Sequence, residues 1–203
     1  MARLATIEAL RARYGTIKPR SLGKEIDHLD RHCRTFIGLS PFLTIASQGA
    51  DGRADCSPRG EVPGFVQILG DRHLAIPDRP GNNRLDTLSN IVANPAVALL
   101  FIIPGFREIL RVNGRAEIRD DDDLRARFEV GGRLPATVIV VEVESAYIHC
   151  AKAVMRARLW EEEALTPRGL MPSLTEIIND QMGTSTPVET EEEMLLAYQK
   201  VLY

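Results

Sequence analysis

"FLTIASQGADGRADCSP", residues 42–58, decides the fold. Two strand-like runs, FLTIAS (42–47) and RADCSP (53–58), flank QGADG. Two glycines and an aspartate in so short a gap are hairpin chemistry. Five residues cannot hold a crossover helix, so the two runs pair antiparallel. Working outward, GFVQILG (64–70) and HLAIP (73–77) meet through the turn residues GDR, and a helical pattern over 85–93 ends before Asn94–Pro95. AVALLFII (96–103), REILRVNGRAEIR (107–119) and ATVIVVEVESAYIHC (136–150) follow as strands. Six or seven mostly sequential strands with only short helices between them predict a mainly β fold with α elements, an antiparallel barrel with helices packed outside. Residues 3–13 and 22–36 read as N-terminal helices, the second stopping at Gly38 and Pro41. DDDDLRARFEVGG (120–132) opens with acids suited to a helix start and closes on two glycines, and 151–160, 173–182 and 188–201 read as C-terminal helices. The chain is read as one domain over 1–203: helices to 38, barrel 39–150, helices 151–203.

The 203 residues can bury a sizeable core, and 44% hydrophobic with 26% charged residues is the balance of a water-soluble globular chain. A formal charge of −3 argues against general nucleic-acid binding, so clusters of arginine must be local devices. No apolar run approaches the length of a membrane span. The opening MARLATIEALRARYG reads as an amphipathic helix without a secretion signal's apolar core. Cys33, Cys56 and Cys150 are odd in number and far apart, which suits a reducing cytoplasm and no thiolate metal site.

The familiar catalytic signatures are absent. No GxGxxG follows a strand, and there is no GxxxxGK[ST]. His28 and His32 are four apart on a helix without the acidic partner of a zinc motif, so they read as surface histidines and no metal is expected. Ser57 in CSPRG lacks nucleophile-elbow spacing, which leaves no triad hydrolase.

Four polar clusters interrupt the strands. LAIPDRPGNNRLDTL (74–88) places Asp78, Arg79, Asn82, Asn83 and Arg84 in a tight loop at the mouth of a helix, whose first N–H groups lack partners. Such a loop suits an anion, most often phosphate; a solvated turn with two surface arginines explains it as well. DCSPRGEVPG (55–64) puts Ser57, Pro58 and Arg59 at a strand end, where an exposed hairpin is the plain alternative. On ILRVNGRAEI, Leu110, Val112, Gly114, Ala116 and Ile118 share one face and Arg111, Asn113 and Arg115 the other. In HCAKAVMRARLW (149–160), Lys152 and Arg156 are four apart with Trp160 one turn later. They suit an anionic planar ligand, or side chains snorkelling over a core helix.

In order, SPRG (57–60), PGF (63–65), LAIPDRPGNNRLDTLSNI (74–91), NP (94–95), LRVNG (110–114), HCAK (149–152) and LW (159–160) resemble the pyridoxamine 5′-phosphate oxidase-related flavoproteins. These are FMN-binding split β-barrels, and the narrower likeness is to a bacterial branch with the SPRG and HCAK signatures. The likeness spans about residues 35–160. It implies a homodimer holding FMN at the subunit interface. It gives the phosphate to Arg79, Asn83 and Arg84, with Asp78 and Asn82 in the same loop, and sets Ser57, Pro58 and Arg59 along the isoalloxazine. Arg111, Lys152, Arg156 and Trp160 would close the site, often from the second subunit.

The chain departs from true pyridoxamine phosphate oxidases. It lacks their R-x-V-L-L-K strand and their C-terminal R-L-H-x-R-x-x-[FY] segment, and its tail EEEMLLAYQKVLY (191–203) is an acidic amphipathic helix. Vitamin B6 oxidation is therefore not the expected activity. The resemblance implies an FMN-dependent oxidoreductase acting on a small organic molecule, with NAD(P)H as a candidate donor. The flavin ring carries the electrons, so no general acid or base is assigned. The alternatives are an F420-dependent reductase on the same fold, or a flavin- or haem-binding sensor or carrier, for which His149 would be the candidate ligand. Three outcomes are expected: a homodimer, FMN retention weakened far more by Arg84→Ala than by Arg125→Ala, and Lys152 close to the flavin ring or its phosphate.

Overall fold

The hairpin at 42–58 forms as expected in the computed structural model, which describes residues 3–203. Strand β1 (Phe42–Gln48) pairs antiparallel with β2 (Ala54–Gly60), and Gly52 takes the positive φ of +82° that the turn requires. Five more strands follow: β3 (Gln67–Ile68), β4 (His73–Asp78), β5 (Ala96–Ile102), β6 (Ile109–Arg119) and β7 (Thr137–His149). The helices are α1 (Ile7–Tyr14), α2 (Pro19–Gly23), α3 (Arg31–Leu39), α4 (Asp86–Ala93), α5 (Asp122–Ala126), α6 (Lys152–Ala157), α7 (Leu174–Met182) and α8 (Glu191–Gln199).

All strand pairs are antiparallel, in the order β2-β1-β5-β6-β7-β4-β3. The sheet is not closed, as a split barrel requires, but it curls. Arg59 on β2 lies 3.4 Å from Asp78 on β4, although β1, β5, β6 and β7 stand between them in the ladder. The inward side chains (Leu43 and Ile45, Leu99 and Phe101, Leu110 and Val112, Val141 and Val143) meet Leu29, Cys33, Phe36 and Ile37 from α3 and its approach in one core. Phe128 and Leu124 cover Ala75, Val138 and Val140 on the outer face.

Several boundaries differ from expectation, two of them for a local reason. The helix read over 22–36 begins only at Arg31, because Asp30 turns its carboxylate onto the N–H groups of His32 and Cys33 and caps α3 there. Upstream, Ile26 bridges to Ala146 in extended form. The strand read over 64–70 shrinks to Gln67–Ile68, since Gly64 takes a φ of +91° and Phe65 and Val66 are buried from a loop. The helix read over 120–132 closes after Ala126. Cys33, buried beside Asp30, has its thiol pushed up to about 12 and is inert at neutral pH.

β7 carries one more residue than its partner. Asn113 pairs with Ser145 and Gly114 with Val143, so Glu144 has no partner on β6. The extra residue keeps Val143 and Ala146 both facing inward across the bulge. Edge strand β2 tolerates Pro58, whose missing N–H disrupts no interior ladder. No helix among the described residues is long and apolar enough to cross a membrane.

Candidate functional site

The curl of the sheet leaves a cavity of about 790 Å³ between β2 and the end of β4. This lies within the range of roughly 300–1,000 Å³ usual for small-molecule sites. Asp55, Ser57, Pro58 and Arg59 form one wall, and Pro77, Asp78 and the loop 79–84 form the other. The first residues of α4 and the Ala136–Thr137 entry to β7 complete it. Alternation along β2 puts Asp55, Ser57 and Arg59 on its more buried face, with Cys56, Pro58 and Gly60 exposed.

Three arginines line this space, and each already faces a carboxylate. Arg79 holds Glu61 bidentately, Nε to Oε1 at 2.8 Å and Nη2 to Oε2 at 3.1 Å, and the pair is buried. Arg59 donates from Nη1 to Ser57 Oγ and to the Pro58 carbonyl, both at 2.9 Å, and from Nη2 to Asp78. Arg84 pairs with Asp86 at 2.8 Å in the open, its side chain 72% exposed. These pairs differ in what it takes to break them. An exposed pair is worth at most about 1 kcal/mol, so Arg84 can turn to a ligand almost freely. Drawing Arg79 away would strand a buried carboxylate at about 3–5 kcal/mol, so Arg79 stays with Glu61. Burial raises the Asp78 carboxyl above its ordinary range, and the charge of Arg59 opposes that rise.

Several donors at the cavity remain unspent. Arg59 Nε and Thr137 Oγ1 are both buried without a hydrogen-bond partner. The N-terminus of α4 has no side-chain cap, because its capping residue is Leu85. Asn82 accepts the Arg84 N–H through Oδ1, which leaves its amide nitrogen free of that bond. Asn83 and Leu85 both adopt left-handed backbone, φ +57° and +58°, on either side of Arg84. Such residues cost of order 1–3 kcal/mol each and collect at ligand sites.

The structure thus brings Ser57, Pro58, Arg59, Asp78, Arg79, Asn82, Asn83 and Arg84 together around one cavity. Arg111, Lys152, Arg156 and Trp160 do not line it. Arg111 lies 5.2 Å from the centroid of the Tyr147 ring on the outer face of the sheet. Lys152 and Arg156 are exposed on α6, and the indole N–H of Trp160 donates to the Phe106 carbonyl at 2.6 Å. Sequence reasoning missed Asp55, Thr87 and Thr137. Thr87 donates to Asp55 at 3.1 Å, a bond made only when α4 docks on β2, and Thr137 arrives from the last strand. No local pattern marks either. His28 bonds Asp27 and His32 accepts from Arg31, both as exposed contacts. Among the described residues, no three His, Cys, Asp or Glu side chains group as metal ligands.

A family model described as pyridoxamine 5′-phosphate oxidase matches residues 29–150, more than half of the chain. The chain belongs to the pyridoxamine 5′-phosphate oxidase family. Within this family the matched span holds every strand and the whole cavity. Among solved structures, the chain is similar to HupZ of Group A Streptococcus, at 17% identity over 59% of this chain and 92% of that one, with a TM-score of 0.48. It is also similar to an FMN-binding protein from Syntrophomonas wolfei, at 10% identity over 71% and 97%, TM-score 0.44. An F420 reductase matches at 21% identity over 57% and 94%, TM-score 0.40. No curated protein matches the chain.

The cavity tests the family's flavin on its own terms. An uncapped helix start, an arginine whose ion pair is exposed and two buried unpaired donors fit a ligand that carries a phosphate at one end.

Proposed function

We propose that the chain binds FMN in this cavity and serves as an FMN-dependent oxidoreductase on a small organic molecule. What carries the reading is the convergence of unspent donors at the cavity: Arg59 Nε, Thr137 Oγ1 and the open N-terminus of α4. Arg84, Asn82 and Asn83, together with the first N–H groups of α4, would hold the phosphate. Ser57, Pro58 and Arg59 would flank the ring, with Arg59 supplying positive charge held in place by Asp78. FMN, when bound, supplies two-electron redox chemistry through its own ring. The residues described here bind and orient it, and none is assigned a proton transfer. NAD(P)H is the proposed donor, and a reducing cytoplasm suits the three free thiols.

Haem is the weaker reading on an observation of this structure. Among the described residues, none that lines the cavity is His, Cys, Met or Tyr, so these residues offer haem iron no axial ligand there. The absorption spectrum of the purified protein tests the proposal. Flavin bands that appear on adding FMN are expected, and turnover with NAD(P)H would then separate enzyme from carrier. A Soret band, or a protein that takes up F420 but not FMN, overturns it.

We also propose a homodimer with the ligand at its interface. Phe42, Phe106, Met155 and Trp160 are exposed apolar side chains of a single chain, and Leu100, Ile102 and Ile109 are only partly covered on the outer sheet face. A second copy on this face would bury them, and would account for Arg111, Lys152, Arg156 and Trp160 lying away from their own chain's cavity. Sedimentation is expected to give twice the 22.5 kDa chain mass at micromolar concentration; a stable monomer would sink the idea.

A further inference from the structure

Tyr203 does not line the cavity, but it reaches Arg79, which does, from a part of the chain that contributes no lining residue. The Arg79 guanidinium carbon lies 5.2 Å from the centroid of the Tyr203 ring. Arg133 donates from Nη1 to the Tyr203 carbonyl oxygen and fixes the backbone there. The helix before it is capped at its start, where Thr190 and Glu193 form a reciprocal capping box, and Arg168 approaches Glu191 at 3.3 Å. The Arg79–Glu61 pair beside the ring is 14% and 7% exposed, a depth unusual for a loop arginine.

These contacts divide the work around one guanidinium. Glu61 takes Nε–H and one N–H of Nη2, which leaves both Nη1 hydrogens and the second on Nη2. The ring attracts the cation through its face and restricts the plane of the fork without using a donor. We infer that Tyr203 is a positioning residue for the anion end of the cavity, a strap that holds Arg79 in one orientation toward a phosphate-bearing ligand. This rests on the reading of the cavity as the FMN phosphate site. Arg79 then acts as a fixed charge behind Arg84, which is free to move. Neither Glu61 nor the segment around Tyr203 stands near the other in sequence, and Arg79 is where they meet.

The test labels arginines of the full-length protein, without added ligand, with phenylglyoxal and reads Arg79 by peptide mass spectrometry. Wild type is compared with Tyr203→Ala and with Tyr203→Phe, which keeps the ring. Arg79 is expected to react about three- to tenfold faster in Tyr203→Ala, the loss of one cation–ring contact, and at the wild-type rate in Tyr203→Phe. FMN is expected to dissociate about fivefold faster from Tyr203→Ala, again rescued by Tyr203→Phe. An unchanged Arg79 rate in Tyr203→Ala overturns the inference, as does tighter FMN binding by that variant, which would make the segment a plug. If the labelling pattern holds while no variant and no wild type binds FMN, the positioning role stands and the flavin reading of the cavity fails.

Discussion

Gly114→Ala is expected to destabilise the protein by about 3 kcal/mol or more, enough to leave it poorly folded. A Cβ at this position would fall well inside contact distance of the Glu142 carbonyl oxygen, 3.0 Å from its carbonyl carbon and 3.2 Å from Val143 Cα. All three are backbone atoms of the neighbouring strand, so no rotamer change relieves the clash. They come this close because β7 bulges opposite Gly114. The residue lies between Val112 and Ala116 on the buried face, at the centre of the widest strand pairing in the sheet. Gly38→Ala is the matched control. It lies in α3 with nothing within 4 Å of its would-be Cβ, and is expected to raise stability by a few tenths to about 1 kcal/mol. Urea unfolding of both variants reads the difference, and a Gly114→Ala midpoint equal to wild type would mean the two strands part at no cost.

Arg84→Ala is expected to weaken FMN binding about tenfold to a hundredfold, the value of one charged hydrogen bond to phosphate at roughly 1.5–3 kcal/mol. The folded state should hardly notice, because the only ion pair it breaks is the exposed one with Asp86. Arg125, the control suggested by the sequence, is unsuitable: only a quarter exposed, it donates to the Pro135 carbonyl at 2.8 Å and ties α5 to the approach of β7. Arg72→Ala serves instead. It also loses an exposed pair, with Asp27, and sits on the β3–β4 turn at the opposite end of β4 from the cavity. Quenching of FMN fluorescence on titration measures all three proteins. Equal affinity in Arg84→Ala and wild type would return Arg84 to the role of a surface arginine.

What could be read from the sequence was what local chemistry dictates. Alternation in ILRVNGRAEI divided the two faces of that strand, and the Gly-Asp turn after Gln48 named the first hairpin. The loop at 78–84 announced itself because so many arginine, asparagine and glycine residues crowd one turn. The partners that its charged residues take stayed hidden. Glu61 is tied to Arg79, and Arg59 to Asp78, only because the sheet curls and brings β2 over β4. The same holds for Thr137, an ordinary strand-entry threonine until the fold leaves its hydroxyl buried without a partner. The left-handed Leu85 beside Arg84 was illegible for another reason, since leucine, unlike the neighbouring Asn83, is a residue from which that backbone would not be guessed.

The gap between β2 and β4 gives the cavity a mechanical character. Its two walls belong to strands that share no backbone hydrogen bond, so its width follows the accumulated twist of every stave between them. A molecule that touches both Arg59 and the loop after Asp78 therefore acts as a clasp on an open hoop. Tightening the clasp draws the hoop inward, and anything that stiffens the hoop, even at the distant kink beside Gly114, resets the opening the clasp must span.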